Sequence, residues 1–356
     1  MKERVLDVFV GRVAKERIEK EGWDPSIFSL LLGASGGPKW LVLSQIDRVL
    51  FGEFLPKREK ALDILGTSIG SWRHACLGQK DPLAAIKRME EHYIHQSYSA
   101  NPSPHEVTVA SRDILKQVLG KNGAQEIVEN QRYTTHIGTV RGKGLIASKN
   151  QTLHTVGLAF AAFGNAVHRS WLQPSYQRVM FSGDGSGEGS GMAFKDFSTV
   201  YTALTQENAF EALMASASIP LVLEGVSDPP GAPKGLYWDG GIVDYHHDLR
   251  AYQGDGLVLY PHFYNYIVPG WFDKSFKGRR PKGDILEKVV QISPSQSFVD
   301  ALPGAKIPDR KDFKNLDTEE RFRVWWEVVS RCEALGDALR KLLAQSNPLE
   351  GVQVFS

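Results

Sequence analysis

The sequence is short of several things, and each shortage removes a class of function. It holds two cysteines in 356 residues, Cys76 and Cys332. That is too few for a disulfide framework or a thiolate metal site, and it fits a reducing compartment. No apolar run reaches the eighteen residues a membrane-crossing helix needs; the longest candidate, Thr155 to Val167, is predicted to be a buried helix. The N-terminal stretch Met1 to Phe9 is broken by charges and lacks the apolar centre of a signal peptide, so the predicted location is cytoplasmic, with peripheral contact to membranes where the substrate demands it. Neither sign of charge dominates: 42 basic against 41 acidic residues leave a net charge of +1, and no nucleic-acid partner is expected. Oligomeric state leaves no mark in the sequence. Histidine motifs are missing as well. Asp244, His246 and His247 are the nearest approach to a metal cluster, but adjacent histidines face opposite sides of a strand. There is no internal repeat, and no cofactor is implied.

What is present is an ordered set of glycine-bracketed motifs. The first is Gly33-Ala34-Ser35-Gly36-Gly37-Pro38-Lys39. It follows a strand-like run, Phe28 to Leu32, and precedes a segment of helical periodicity, Trp40 to Leu50. Adjacent glycines let backbone N–H groups converge on one anionic atom, so Gly36 and Gly37 are candidate oxyanion donors. Pro38 has no N–H to give. The loop has neither the GxGxxG nor the GxxxxGK[ST] spacing, which counts against a nucleotide site.

The second motif is Gly66-Thr67-Ser68-Ile69-Gly70. It joins an apolar strand, Ala61 to Leu65, to a helix over Ser71 to Leu77. A serine on such a tight strand-to-helix turn is a candidate nucleophile, with Gly66 and Gly70 giving room for close backbone approach. The helix N-terminus behind it favours negative charge, so the Ile69 N–H joins the candidate oxyanion donors. The third motif is Asp239-Gly240-Gly241, where a short apolar run ends on a carboxylate that can act as a base. On its own it is also a common turn sequence.

Together these motifs resemble those of the patatin-like phospholipases, a family of lipid acyl hydrolases. Gly36, Gly37 and Lys39 match the family's oxyanion loop. Gly66, Ser68 and Gly70 match its nucleophile motif, and Asp239, Gly240 and Gly241 its aspartate motif. The stretch Ala212 to Pro220 looks like the helix and Ile-Pro segment that precede that aspartate. The resemblance is strongest over 28–262. It implies one catalytic domain over 1–356 with a mainly helical C-terminal extension, 265–356. It also implies a three-layer α/β fold with a mixed, mostly parallel sheet between helices, and a Ser68–Asp239 dyad that works through an acyl-enzyme. The implied partner is a lipid or other ester substrate, met at a membrane surface where it is a lipid. Lys39 would brace the loop or attract an anionic head group. Trp40 and the Asp244-Tyr245-His246 stretch depart from the family pattern, which puts the substrate in doubt more than the chemistry.

Three other readings remain open on sequence alone: a Ser-His-Asp α/β-hydrolase using His262 or His246, an acyltransferase, and a non-catalytic lipid-binding protein. The remaining layout alternates strand-like and helical runs, which predicts a parallel or mixed sheet covered by helices. Helices are expected near 82–96, 109–120, 208–217 and 322–343, a strand pair within 132–148, and strands over 177–181, 198–205 and 256–260. Ser182 to Gly191 has the composition of a flexible connection or a lid, and Tyr260 to Phe272 is dense in aromatics.

Overall fold

The computed structural model describes residues 4–355. Met1 to Glu3, the start of the charged N-terminal stretch, lie outside the described residues. The strands in chain order are β1 (Leu6–Val10), β2 (Phe28–Gly33), β3 (Leu62–Thr67), β4 (Tyr133–Gly142), β5 (Tyr176–Ser182), β6 (Thr199–Ala203), β7 (Val226–Ser227), β8 (Leu236–Asp239), β9 (Leu257–Pro261), β10 (Val289–Pro294) and β11 (Gln353–Val354). They form one mixed, mostly parallel sheet flanked by helices; nine follow the order β11-β1-β10-β9-β2-β3-β4-β5-β6, and β8, paired with β4, carries β7 beside it. The central strands β2, β3 and β9 are mostly apolar because both of their faces are covered, with Ser29 in β2 and Asp63 in β3 as polar, half-buried interruptions near the strand starts.

The organising element is β4. The sequence reading divides 132–148 into a strand pair; the chain instead makes one ten-residue strand and leaves it through Gly144 (φ +51°) into a 3-10 turn, Gly144–Ala147. One edge of β4 pairs with β5 along 136–142. Its other edge is shared. The first half pairs in parallel with β3, ending at Thr67 opposite Gly138. The second half pairs antiparallel with β8, starting with Asp239 opposite Thr139. The two strands therefore meet end to end on one edge, and the residues at their tips are brought together by hydrogen-bond register.

The other departures have local causes. The segment after the first motif winds as a 3-10 helix over Gly37–Leu43, an α-helix over Ser44–Val49 and a π turn over Leu50–Phe54. Trp40 through Leu43 are all buried, so no polar face imposes a 3.6-residue period there. The stretch 182–191 is a capped turn: the Asp184 carboxylate accepts from the N–H groups of Ser186, Gly187 and Gly189 at 3.1, 2.6 and 3.0 Å. Gly189 lies against Asp63 near the start of β3, the end of that strand remote from Ser68, which excludes a lid over the serine. Strands β10 and β11 lie in the part read as mainly helical. Around them the expected helices appear as Thr318–Arg331 and Glu333–Ala344. Finally, the helix over Gln151–Val167 is not buried; Phe160 and Phe163 are 66% and 68% exposed.

Candidate active site

Ser68 stands between the tip of β3 and the helix Ile69–Leu77, at φ 55° and ψ −133°. This is a left-handed conformation that costs a non-glycine residue about 1–3 kcal/mol. Its surroundings hold it there. The Ser68 N–H donates to Ser216 Oγ (2.9 Å), which itself donates to Gly138 O (2.7 Å). Ser71 donates to Ser68 O through both its N–H (3.0 Å) and its hydroxyl (2.7 Å). The flanking glycines are required by contact. A Cβ on Gly70 would lie 2.2 Å from Gly33 O, and one on Gly66 would lie 2.6 Å from the Gly70 backbone.

Ser68 Oγ donates to Asp239 Oδ2 at 2.7 Å, and the other carboxylate oxygen accepts from the Gly241 N–H at 2.7 Å. Both side chains are buried. Gly240 has no room for a side chain, since a Cβ would sit 2.1 Å from Gly138 O. Burial pushes the Asp239 carboxyl up to about 6, while its hydrogen bonds from Ser68 and Gly241 and the nearby Arg310 and Lys274 cations pull the other way. The carboxyl's ionisation is thus brought toward neutrality. No histidine hydrogen-bonds to Ser68 among the described residues. His246 Nδ1 accepts from the Val268 N–H (3.0 Å), and His262 Nδ1 from the Tyr264 N–H (2.9 Å). Burial lowers both imidazoles well below their ordinary value.

The loop Ser35–Gly37 lies beside the pair. Its Gly36 N–H and Gly37 N–H, like that of Ile69, are engaged by no protein acceptor among the described residues. Gly36 lines the pocket over Ser68, whereas Gly37, at φ +56°, and Ile69 are not among its lining residues. Ser35 Oγ joins Thr67 Oγ1 (2.9 Å), whose hydroxyl donates to Asp244 O (2.8 Å), so the loop is tied to the tip of β3 and through it to the short helix Gly241–Asp244 that follows β8. Asp244 is held in a two-pronged pair with Arg178 (2.6 and 2.8 Å), which accounts for its carboxylate. Lys39 forms no ion pair among the described residues; its ammonium lies 6.0 Å from the Phe263 ring centroid, and desolvation lowers its pKa.

Counted together with the open solvent at its mouth, the pocket spans about 300 Å³ not filled by protein, and the enclosed part is small. Its walls are mainly apolar, from Ile219, Pro220, Ile242, Tyr245 and Trp271, with Arg310 at one side. Trp271 lies in the aromatic-dense stretch 260–272 that the sequence marks. Sequence reading missed Arg310 and the nearby Lys274, which come from loops without a motif. The Lys274 ammonium lies 4.3 Å from the Tyr245 ring centroid. Its desolvation, with Arg310 and Lys39 nearby, lowers its pKa to about 7.

These charges set a pH dependence. A base must be ionised to accept a proton, so kcat/KM on a neutral ester should fall below about pH 6 as Asp239 takes up a proton. Lys274→Met removes a cation that favours the carboxylate, so the acid limb should move to higher pH. A limb that stayed in place or moved down would show that Asp239 does not control it.

No family model matches the chain, and no curated protein matches its sequence. Solved structures similar to it at low identity include the following three. Human GIVD cytosolic phospholipase A2 aligns over 99% of this chain and 67% of its own, with 11% identity and a TM-score of 0.43. VipD from Legionella pneumophila aligns over 99% and 75%, with 12% identity and a TM-score of 0.32. The type III effector ExoU aligns over 92% and 59%, with 12% identity and a TM-score of 0.27.

Proposed function

We propose that the protein is an acyl hydrolase of the patatin-like kind, cleaving lipid esters through a Ser68–Asp239 dyad. The observation that carries this reading is the 2.7 Å hydrogen bond from a serine on a strained strand-to-helix turn to a buried carboxylate. The ordered glycine motifs and the apolar pocket wall support it. Ser68 Oγ attacks the ester carbonyl carbon, and its proton passes to Asp239 Oδ2. The N–H groups of Gly36, Gly37 and Ile69 are the donors offered to the oxyanion. As the tetrahedral intermediate collapses, the carbon–oxygen bond to the alcohol breaks and Asp239 returns the proton to the leaving oxygen. Water then adds to the acyl-enzyme. Asp239 takes its proton and gives it back to Ser68 as the fatty acid departs.

The experiment is labelling with a fluorophosphonate, followed by peptide mapping and by assay on phospholipid and p-nitrophenyl esters. A single adduct on Ser68 and hydrolysis of both ester classes are expected. An adduct elsewhere, or a labelled Ser68 with no turnover of any ester, would overturn the reading.

A further inference from the structure

One helix is built with its apolar face outward. Along Gln151–Val167, residues Leu153, Val156, Phe160, Phe163 and Val167 recur at three- and four-residue spacing and form one stripe. Such a stripe ordinarily faces a core. Here all five side chains are exposed, as is Trp171 just beyond the helix. The opposite face carries Gly157, Ala161, Gly164 and Asn165, all buried. A Cβ on Gly157 would come within 3.0 Å of Leu145 and Ile146, and one on Gly164 within 3.2 Å of Trp171. Asn165 Nδ2 donates to Asp273 Oδ1 at 2.9 Å. Small residues and one buried amide therefore set the orientation, and the large apolar side chains are left outside by construction.

The surrounding charge indicates what covers them. Residues 130–183 contain no aspartate or glutamate, although the chain has 41. The neighbouring turn, 274–282, carries Lys277, Arg280 and Lys282, besides Lys274 beside the pocket and Arg279, which pairs with the buried Asp273 at 2.7 Å. It reaches the helix directly, since Arg279 Nη2 donates to Ala166 O at 3.3 Å. Exposed aromatic and aliphatic side chains bordered by cations match an interface of acyl chains beneath anionic head groups. The face also borders the site: Asp273, which holds Asn165, is two residues from Trp271 in the pocket wall.

We infer that the helix 151–167 and the cationic turn 274–282 form one face that docks on an anionic lipid bilayer and brings the Ser68 pocket to the membrane. The inference rests on the lipid-ester reading above and names the surface at which that site meets its substrate.

The test uses the full chain with vesicles of phosphatidylcholine containing about one-third phosphatidylglycerol, and with vesicles of phosphatidylcholine alone. Cosedimentation with the anionic vesicles is expected, weakened by salt. Phe160→Ser with Phe163→Ser should weaken binding on the order of a hundredfold, because two aromatic side chains no longer leave water. Lys277→Gln and Lys282→Gln should each cost about fivefold on anionic vesicles and little on neutral ones. All of these should turn over a soluble short-chain ester as the wild type does. Trp171 gives a second readout: brominated lipid should quench its fluorescence, and Trp171→Phe should lose that quenching while binding persists. Undiminished vesicle binding by the double phenylalanine variant would overturn the inference. So would a wild-type dimer that this variant converts to monomer, which would assign the face to a second copy. Intact vesicle binding without any ester turnover would support the docking face and remove the hydrolase reading, so the two failures are distinguishable.

Discussion

Ser68→Ala is expected to lower ester turnover by about a thousandfold or more, and Asp239→Asn to do nearly the same. The double variant should be little worse than either, because a nucleophile and its only base act as one unit and their effects do not add. The Asp239→Asn variant should at the same time gain stability. A carboxyl whose pKa rises from 3.8 to about 6 on folding binds its proton more tightly in the folded state. Folding is therefore weakened as pH rises from about 4 through about 6, by up to roughly 3 kcal/mol at neutral pH. Asparagine never ionises, so its advantage in thermal melting should be largest at pH 7 and vanish near pH 4. Kinetics on a neutral ester and melting curves at both pH values check the pair of expectations. Substantial turnover by Asp239→Asn would mean that another group takes the proton.

The second large effect is expected at the oxyanion loop. Gly37 has φ +56°, a conformation that L side chains rarely adopt, and a Cβ there would also lie 3.4 Å from Arg310 Nε. Gly37→Ala should rotate this part of the backbone toward negative φ and turn N–H groups away from the carbonyl oxygen. Loss of one such donor costs on the order of a hundred- to a thousandfold in kcat. KM should change far less, because the donors act on charge that develops only in the transition state. The measurement is kcat and KM on a neutral short-chain ester beside thermal melting. Near-normal kcat in a folded Gly37→Ala protein would place the donors elsewhere.

Ser68 and Asp239 were legible because close approach leaves a mark in composition. Gly66, Gly70 and Gly240 each sit where a Cβ would strike backbone, so the glycines that bracket the motifs report real contacts. The strands β2, β3 and β9 were legible for a related reason: burial on both faces writes their inner halves, Leu30–Leu32, Ile64–Leu65 and Leu257–Tyr260, as apolar runs. Arg310 and Lys274 carry no such mark. Each is a single exposed-loop cation in the sequence, and only the folding of distant loops sets it beside Asp239. The helix 151–167 misleads for a physical reason. Its stripe has the spacing of a core-facing surface, and nothing local reveals that Gly157, Ala161 and Gly164 let the opposite face approach the protein instead. In β4, the length of the strand was hidden because its two halves serve different neighbours, which breaks up the pattern of its apolar residues.

The shared edge of β4 also separates what the site needs from what it merely contains. The 170 residues between Ser68 and Asp239 behave as a tether: as long as Gly138 and Thr139 stay adjacent, the two side chains stay in reach. Length can be gained or lost in the capped turn at 184–191 without the dyad sensing it. A single residue inserted into β4 at that junction would do more harm than a whole loop added elsewhere. The Ser68–Asp239 spacing is a property of two neighbouring peptide units, and the rest of the intervening chain is free to diverge around it.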